Sequence, residues 1–152
     1  MNMQIGTIQT TNVCSLLIEK ARRVFNDALL RGNLLMAVNG LLGRRSGLKA
    51  LPGFSGFRGA YSRGLVTIPI RRIVGSENRC HDYDRHFHPL NERTRVRWSN
   101  IAISILNGRE LPPVELIEVD GYYYIRDGHH RISALSAFGQ VEIEALVTVW
   151  ER

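Results

Sequence analysis

The stretch that decides the fold covers residues 122–139 and reads YYYIRDGHHRISALSAFG. It opens as a strand, and Asp127-Gly128 then turns the chain directly into a helix that Gly139 ends. Residues 114–119 form a second strand-like run just before it. Asp120-Gly121 separates the two runs and is the strongest short hairpin signal in the chain. We therefore predict an antiparallel hairpin that leads straight into a helix.

The chain on either side of this stretch predicts further short elements. Alternating apolar residues indicate a strand over residues 66–74, with Pro69 at its edge, and a final strand over residues 143–150. A helix is predicted to begin after Asn91 and to end at Gly108. The predicted fold class is α+β, with a small mixed sheet and flanking helices.

The sequence of the first 64 residues predicts helix and irregular loop rather than strands. Three- and four-residue apolar spacing predicts a helix that begins at Thr11 or Asn12 and ends near Arg31. Gly32 and Asn33 are expected to interrupt it before a second apolar stretch, and residues 44–64 are predicted to be an irregular basic linker. We expect the aromatic side chains of this linker to pin it to the core rather than to stack on bases. The predicted division is a basic helical segment over 1–64 and a folded domain over 65–152.

Composition excludes several classes of protein. The chain has 152 residues, a formal net charge of +6 and 44% hydrophobic residues, which is enough for one domain with its own core. That apolar content disfavours disorder, while no apolar run is long enough to span a membrane and no secretory signal is visible. The two cysteines, Cys14 and Cys80, indicate neither a disulfide framework nor a zinc finger. We expect a soluble cytoplasmic protein.

The charge is unevenly distributed along the chain. Residues 1–75 carry 11 basic and 2 acidic side chains, whereas residues 76–152 carry 9 basic and 12 acidic ones. An asymmetry of this kind is expected of a protein whose partner carries phosphates, and DNA is one such partner. A solvated basic segment is the alternative. The predicted nucleic-acid-binding residues are Arg44, Arg45, Lys49, Arg58 and Arg63.

The turn at Asp127-Gly128 also predicts a binding site. The N-terminus of a helix offers free N–H groups and a partial positive charge, and both favour an anion. Gly128 would let the backbone approach a phosphate, and Arg131 in the first turn is explained better by a bound phosphate than by helix stability. His129 and His130 can donate to a phosphate or move protons, and Asp127 can act as a base. In the alternative interpretation Asp127 is a plain helix cap and the histidines are surface side chains.

The DGHHR motif, residues 127–131, resembles the nucleotide-binding motif of the ParB/sulfiredoxin superfamily, and residues 66–149 resemble its core domain. The resemblance covers a little over half of the chain and implies that Gly128, His129, His130 and Arg131 bind nucleotide phosphates. Sulfiredoxins carry a cysteine in a GCHR version of the motif. This chain has His129 at that position, which argues against the repair of cysteine sulfinic acid.

The motif is most similar to that of free serine kinases, whose second carboxylate follows the first strand, as Glu77 does here. The resemblance implies catalytic roles for Glu77, Asp127 and His130, with ATP, ADP or CTP as the nucleotide and Mg²⁺, held in part by Asp127, spreading the charge. The segment between Glu77 and the motif is longer than in those kinases, and no serine pocket is recognisable.

Three functions follow in order of preference. The first is a nucleotide-dependent enzyme of kinase or nucleotidase type. The second is a DNA-binding, partition-related or nuclease module that uses the basic N-terminal half. The third is a regulator that binds a nucleotide without turning it over. A homodimer formed through the N-terminal helices is an open alternative.

A cluster of metal-ligand types lies in residues 80–88, which read CHDYDRHFH. Imidazole and carboxylate groups suit zinc, manganese or iron, although the spacing matches no standard site. The weak metal candidates are His81, His86 and His88. A loop that sets substrate choice is the alternative.

Overall fold

The computed structural model describes the backbone of residues 4–152 and the side chains of residues 12–152. The helices are α1 (Gln4–Leu41), α2 (Arg95–Leu106) and α3 (His129–Ala137). The strands are β1 (Lys49–Ala50), β2 (Gly59–Pro69), β3 (Ile73–Ser76), β4 (Val114–Val119), β5 (Tyr122–Asp127) and β6 (Glu142–Glu151). Short 3₁₀ turns occupy Ile70–Arg72 and Glu92–Thr94. The predicted α+β class, with a helix preceding a mixed sheet, is confirmed.

All six strands belong to one mixed sheet, in the order β1-β3-β5-β4-β6-β2. Strands β1, β3 and β5 run parallel to one another, β4 and β6 form a second parallel pair, and β2 is antiparallel to β6. Because β3 and β5 are parallel neighbours, their carboxyl ends meet at the same edge of the sheet. The chain enters α3 at that edge, directly after β5.

The predicted hairpin is confirmed. Strands β4 and β5 are antiparallel, with Val119 opposite Tyr122. Asp120 has φ 51° and Gly121 has φ 80°, and two successive positive φ angles are what a tight two-residue hairpin turn requires.

Two apolar clusters pack the helices, one against the sheet and one against each other. The larger one lies on the α3 side of the sheet and includes Leu116, Ile125 and Ile132, which are at most 1% exposed. The second joins the three helices around Trp98, whose ring meets that of Phe25 edge-on at 5.4 Å between ring centres. Helix α1 is therefore part of the packed structure, because its side chains complete this second core.

The predicted interruption of the first helix at Gly32 and Asn33 is wrong, since α1 is continuous from Gln4 to Leu41. The predicted start at Thr11 or Asn12 also lies inside this helix. A Cβ at Gly32 would stand 2.8 Å from the Pro89 carbonyl oxygen and 2.9 Å from the Cβ of His88. Gly32 is therefore a close-packing position, where the 81–91 loop touches the helix, and not a helix break.

The single strand predicted over residues 66–74 is two strands. Pro69 ends β2, and a 3₁₀ turn separates it from β3, which lies in a different part of the sheet. Proline lacks the N–H that a continuing ladder would need, so the chain leaves one strand there and begins the next.

The predicted linker over residues 44–64 is more ordered than expected, because it contains β1 and the first half of β2. Gly64, the predicted boundary, lies inside β2, and residues on both sides of it pair with β6. These strand segments lack apolar alternation because their side chains are largely exposed. The division at residue 64 stays a prediction about domain organisation.

Phe54 and Phe57 pin that segment to the sheet, as predicted, whereas Tyr61 is 51% exposed. Residues 51–58 cross the face of the sheet opposite to α3. Phe54 and Phe57 both meet the ring of Trp150, at 4.8 and 5.3 Å between ring centres. Leu51 and Phe57 also pack against Ile117 and Tyr124, so this segment covers part of that face.

Within residues 4–152, no helix combines the length and the apolar character that crossing a membrane requires.

Candidate functional site

The candidate site lies where β3 and β5 end and α3 begins. The backbone N–H of Glu77 donates to the Ile125 carbonyl at 2.9 Å, which holds the end of β3 beside the end of β5. Glu77 and Asp127 are consequently brought to the same edge of the sheet, although 49 residues separate them in the sequence. The structure therefore places these two residues at one edge of the sheet, where the carboxylate of Glu77 pairs with Arg126 and that of Asp127 pairs with Arg131.

Gly128 shapes the start of α3. Its φ of 101° lies in the left-handed region, and a Cβ there would stand 2.5 Å from Cγ1 of Val114. Only glycine meets both conditions without strain. No side chain caps this helix, so Asp127 is not the plain N-cap residue of the alternative interpretation. The first N–H groups of α3 are left without a side-chain acceptor.

The side chain of His129 is committed to the protein interior. Its Nε2 lies 2.7 Å from Oγ of Ser76, and the residue is 5% exposed. The Ser76 hydroxyl already accepts the backbone N–H of Arg79 at 2.9 Å and that of Asn78 at 3.3 Å, so its own proton is donated to the imidazole. Burial, and after it the positive charge of Arg79, lower the pKa of His129 to about 4. His129 is therefore a neutral hydrogen-bond acceptor at pH 7.

His130 is held by Tyr83. The Tyr83 hydroxyl lies 2.7 Å from Nδ1 of His130, and burial raises the pKa of that phenol, which stays protonated. Nε2 of His130 is buried and has no partner among the described groups. If the Tyr83 hydroxyl donates to Nδ1, the Nε2–H is the one group left without a partner. If Nδ1–H donates to Tyr83 instead, both the Tyr83 hydroxyl proton and the lone pair of Nε2 lack partners. We therefore assign the proton of the neutral ring to Nε2, where it is a hydrogen-bond donor without an acceptor.

Two arginines that were not predicted from the sequence lie close to these rings. Burial lowers the pKa of His130, and the positive charges of Arg79 and Arg97 lower it further. Arg79 pairs with Asp82 at 3.5 Å, while Arg97 pairs with no carboxylate among the described side chains. Ser76 ends β3, Arg79 and Tyr83 follow that strand, and Arg97 lies in α2. No motif marks these residues, and the pairing of β3 with β5 and the packing of α2 on α3 place them near the start of α3.

Arg131 has protein partners of its own. Its Nη1 donates to the carbonyl oxygens of Pro112 and Pro113 at 2.8 and 2.7 Å, and its Nη2 donates to Asp127 at 2.5 Å. The side chain is 15% exposed. These bonds stabilise the entry to β4 and the start of α3, so a bound phosphate is not needed to explain this arginine. Its Nε–H and the second Nη2–H remain available.

Glu77 and Asp127 each pair with an arginine, but differently. Glu77 lies 3.5 Å from Nε of Arg126 and its side chain is 36% exposed, so the pair is loose. Asp127 is 67% exposed and tightly bonded to Arg131 through one oxygen only. Both carboxylates can still accept a proton or a cation from solvent.

The metal candidates in the 81–88 segment have other partners. Asp84, which is fully buried, accepts the backbone N–H groups of His86 and His88 at 2.8 and 2.9 Å and binds Nδ1 of His88 at 2.9 Å. His81 is exposed. Among side chains 12–152, no three or more His, Cys, Asp or Glu groups are placed to hold a metal ion together. The geometry therefore supports a loop organised around Asp84.

The five predicted DNA-binding residues do not form one surface. Lys49 lies in β1 and Arg63 in β2, at opposite edges of the sheet, which five interstrand spacings put roughly 24 Å apart. Arg63 also pairs with Glu118 at 2.5 Å. Arg44 and Arg45 are exposed just after α1, and Arg58 is exposed just before β2. DNA binding stays a prediction.

Comparisons with known proteins give one similarity. No protein-family model and no curated protein matches the chain. Among solved structures, sulfiredoxin from Arabidopsis thaliana is similar, with 25% identity over a region that covers 55% of this chain and 82% of that protein. The TM-score of 0.41 is too low to carry an argument about fold or activity. The ParB/sulfiredoxin assignment stays a resemblance.

Proposed function

We propose that this protein binds a nucleotide with its phosphates at the N-terminus of α3, and that it transfers or hydrolyses a phosphoryl group there. One observation carries the proposal: α3 begins at a left-handed Gly128 pressed against Val114, and no side chain caps its first N–H groups. A helix start of this kind, with the backbone bare, suits an anion. The resemblance of the DGHHR motif supports a nucleotide as that anion.

The surrounding side chains supply further donors of the right kind. The Nε2–H of His130 is buried without a partner, and Arg79 and Arg97 bring positive charge close to it. A phosphate oxygen would satisfy the His130 donor and would gain charge-assisted hydrogen bonds from the arginines. His129 contributes its backbone N–H alone, because its ring is bonded to Ser76.

The two carboxylates suit Mg²⁺ and proton transfer. Carboxylate oxygens beside nucleotide phosphates are the usual protein ligands of Mg²⁺, so Asp127 and Glu77 fit that ion. Mg²⁺ bound with the nucleotide would spread the negative charge of the phosphates. Asp127 is already held by Arg131, so it would position the Mg²⁺ and the nucleotide phosphates bound to that ion. Glu77, loosely paired with Arg126, would accept the proton of the attacking hydroxyl or water.

Two measurements on the full chain test this proposal. A thermal-shift screen of ATP, ADP, CTP and GTP, each with and without Mg²⁺, should raise the melting temperature with at least one nucleotide. No shift with any of them would contradict nucleotide binding. With the nucleotide that binds, turnover should fall at least about a hundredfold in Glu77→Gln and Asp127→Asn, while binding changes little.

Glu151→Gln is the matched control, because Glu151 is exposed at the opposite end of the sheet. Unchanged turnover in both site variants would overturn the named roles. Nucleotide binding with no product over hours in Mg²⁺ would instead identify a regulator without catalysis.

A further inference from the structure

A cavity lies at the other end of α3 from the candidate site. It has a volume of about 720 Å³, and Ser136 and Gln140, which line it, lie at or beyond the last turn of the helix. Ser136 is seven residues after His129, or roughly 10 Å along the helix axis. The cleft is therefore lined by the C-terminal end of α3, whereas the candidate site lies at its N-terminus. The volume falls in the range of small-molecule sites, which is about 300–1,000 Å³.

One wall of the cleft is apolar. Leu35 of α1, Ile70 of the 3₁₀ turn and Val141 before β6 line it together with Phe87. Leu35 and Val141 remain 36% and 74% exposed, so apolar surface faces solvent inside a concave site. An apolar molecule entering the cleft would cover this surface and gain hydrophobic free energy.

Another part of the lining is basic. Arg71 and Arg85 line it with His86, and neither arginine pairs with a carboxylate among the described side chains. Arg85 instead donates from Nε to Nε2 of His86 at 3.1 Å, which places its guanidinium beside the ring. Glu142 is the acidic residue in the lining, so the cleft has a net positive charge.

The basic wall is rigidly supported. The carboxylate of Asp84 is buried and binds the backbone N–H groups on both sides of Phe87. Phe87 itself is held at φ 65°, a left-handed conformation that phenylalanine rarely adopts, and its ring is 3% exposed. Gly32 lets α1 pack directly on this loop. The cleft is therefore formed before any ligand arrives, which lowers the cost of binding.

We propose that this cleft binds an organic anion with an apolar body, such as an alkyl carboxylate or alkyl phosphate. The anionic group pairs with Arg71 and Arg85, and the apolar body lies against Leu35, Ile70 and Val141. Neither feature suffices alone: inorganic phosphate would leave the apolar wall exposed, and an uncharged alcohol would leave the arginines unpaired. The proposal does not depend on the nucleotide site.

The test uses the full-length chain and the fluorescent probe 1-anilinonaphthalene-8-sulfonate, which combines an aromatic body with one negative charge. Its fluorescence should rise on binding, and decanoate or decyl phosphate should displace it at concentrations at least tenfold lower than decan-1-ol or inorganic phosphate. Displacement by either alkyl anion supports the proposal, and the stronger of the two identifies the preferred anionic group. Equal displacement by decan-1-ol would overturn it.

Variants separate the cleft from other apolar surface. Arg71→Gln combined with Arg85→Gln, and separately Val141→Asn, should each weaken probe binding at least tenfold. All three residues are exposed, so the substitutions should leave the melting temperature unchanged. The matched controls are Arg109→Gln and Leu41→Asn, exposed positions outside the cleft lining, which should bind the probe as the parent does. Probe binding that survives both cleft variants, or that Leu41→Asn abolishes, would refute the proposal.

Discussion

Nε2 of His129 and Oγ of Ser76 lie 2.7 Å apart inside the protein, and the hydroxyl is the donor. This hydrogen bond joins the end of β3 to the first residue of α3. The bond exists only while the imidazole is neutral. The Ser76 oxygen already accepts two backbone N–H groups, so it has no lone pair left for a proton on Nε2 of His129.

The first prediction concerns pH. Burial lowers the pKa of His129 to about 4 in the folded chain, whereas its ordinary value is 6.5. The unfolded chain therefore binds more protons between these values, so stability is fully present above pH 6.5 and is lost as the pH falls toward 4. A shift of this size corresponds to about 3 kcal/mol of unfolding free energy. Urea denaturation at pH 7, 6, 5 and 4.5 measures it.

His129→Gln is the comparison for that measurement, since glutamine can accept the Ser76 proton but does not titrate. The variant should lose less stability than the parent over the same pH range, even though carboxylates contribute to both curves. Parallel curves for parent and variant would show that His129 does not titrate as inferred.

The second prediction concerns Gly128. Gly128→Ala forces a left-handed alanine and a clash with Val114, whereas Gly139→Ala forces a left-handed alanine in open space. We expect Gly139→Ala to cost about 1 kcal/mol and Gly128→Ala to cost about 1–3 kcal/mol more. Chemical denaturation of the two variants gives the difference.

In a double-mutant cycle, Val114→Ala should reduce the loss of unfolding free energy caused by Gly128→Ala, because it removes the clashing side chain. It should not change the loss caused by Gly139→Ala. Equal costs for the two alanine variants would contradict the packing described at the start of α3.

The third prediction tests the continuity of α1. Gly40 has open space around its Cα, so Gly40→Ala should stabilise the protein by up to about 1 kcal/mol through helix propensity. Gly32→Ala gains the same propensity but meets Pro89 and His88, so it should destabilise the protein. Opposite signs in thermal melts are the expected result. If Gly32→Ala also stabilises the chain, α1 does not pack on the 81–91 loop as described.

The fourth prediction concerns the division at residue 64. A fragment of residues 65–152 lacks β1, half of β2 and Phe25, which is fully buried against Trp98. We expect this fragment to show no cooperative thermal unfolding by circular dichroism. A chain of residues 12–152, which keeps these elements, should unfold cooperatively. Cooperative unfolding of the shorter fragment would instead support an independent domain over 65–152.

The sequence predicts the elements near the motif well and those of the N-terminal half less well. Asp120-Gly121 and Asp127-Gly128 determine their turns locally, so the hairpin and the start of α3 are visible without a structure. Gly32 looks like a helix break because its role depends on His88 and Pro89, which lie 56 and 57 residues further along the chain. The strand β1 has only two residues, and no local pattern distinguishes it from a loop.

Some residues of the candidate site are likewise indicated by the sequence, and others are placed there only by the fold. The motif supplies Asp127, Gly128 and His130, and the resemblance to free serine kinases supplies Glu77. The partners of the histidines, Ser76 and Tyr83, depend on which strands are parallel neighbours, and that is a property of the whole sheet. The inward orientation of His129 follows from packing and could not be read from its place in the motif.

The most direct test of nucleotide binding at α3 is an NMR titration. Nucleotide with Mg²⁺ is added to uniformly ¹⁵N-labelled full-length protein, and the backbone amide signals are followed. We expect the largest shifts at the amides of residues 128–131, with small changes at Val141 in the cleft at the other end of α3. No change at residues 128–131, or larger shifts elsewhere, would contradict it.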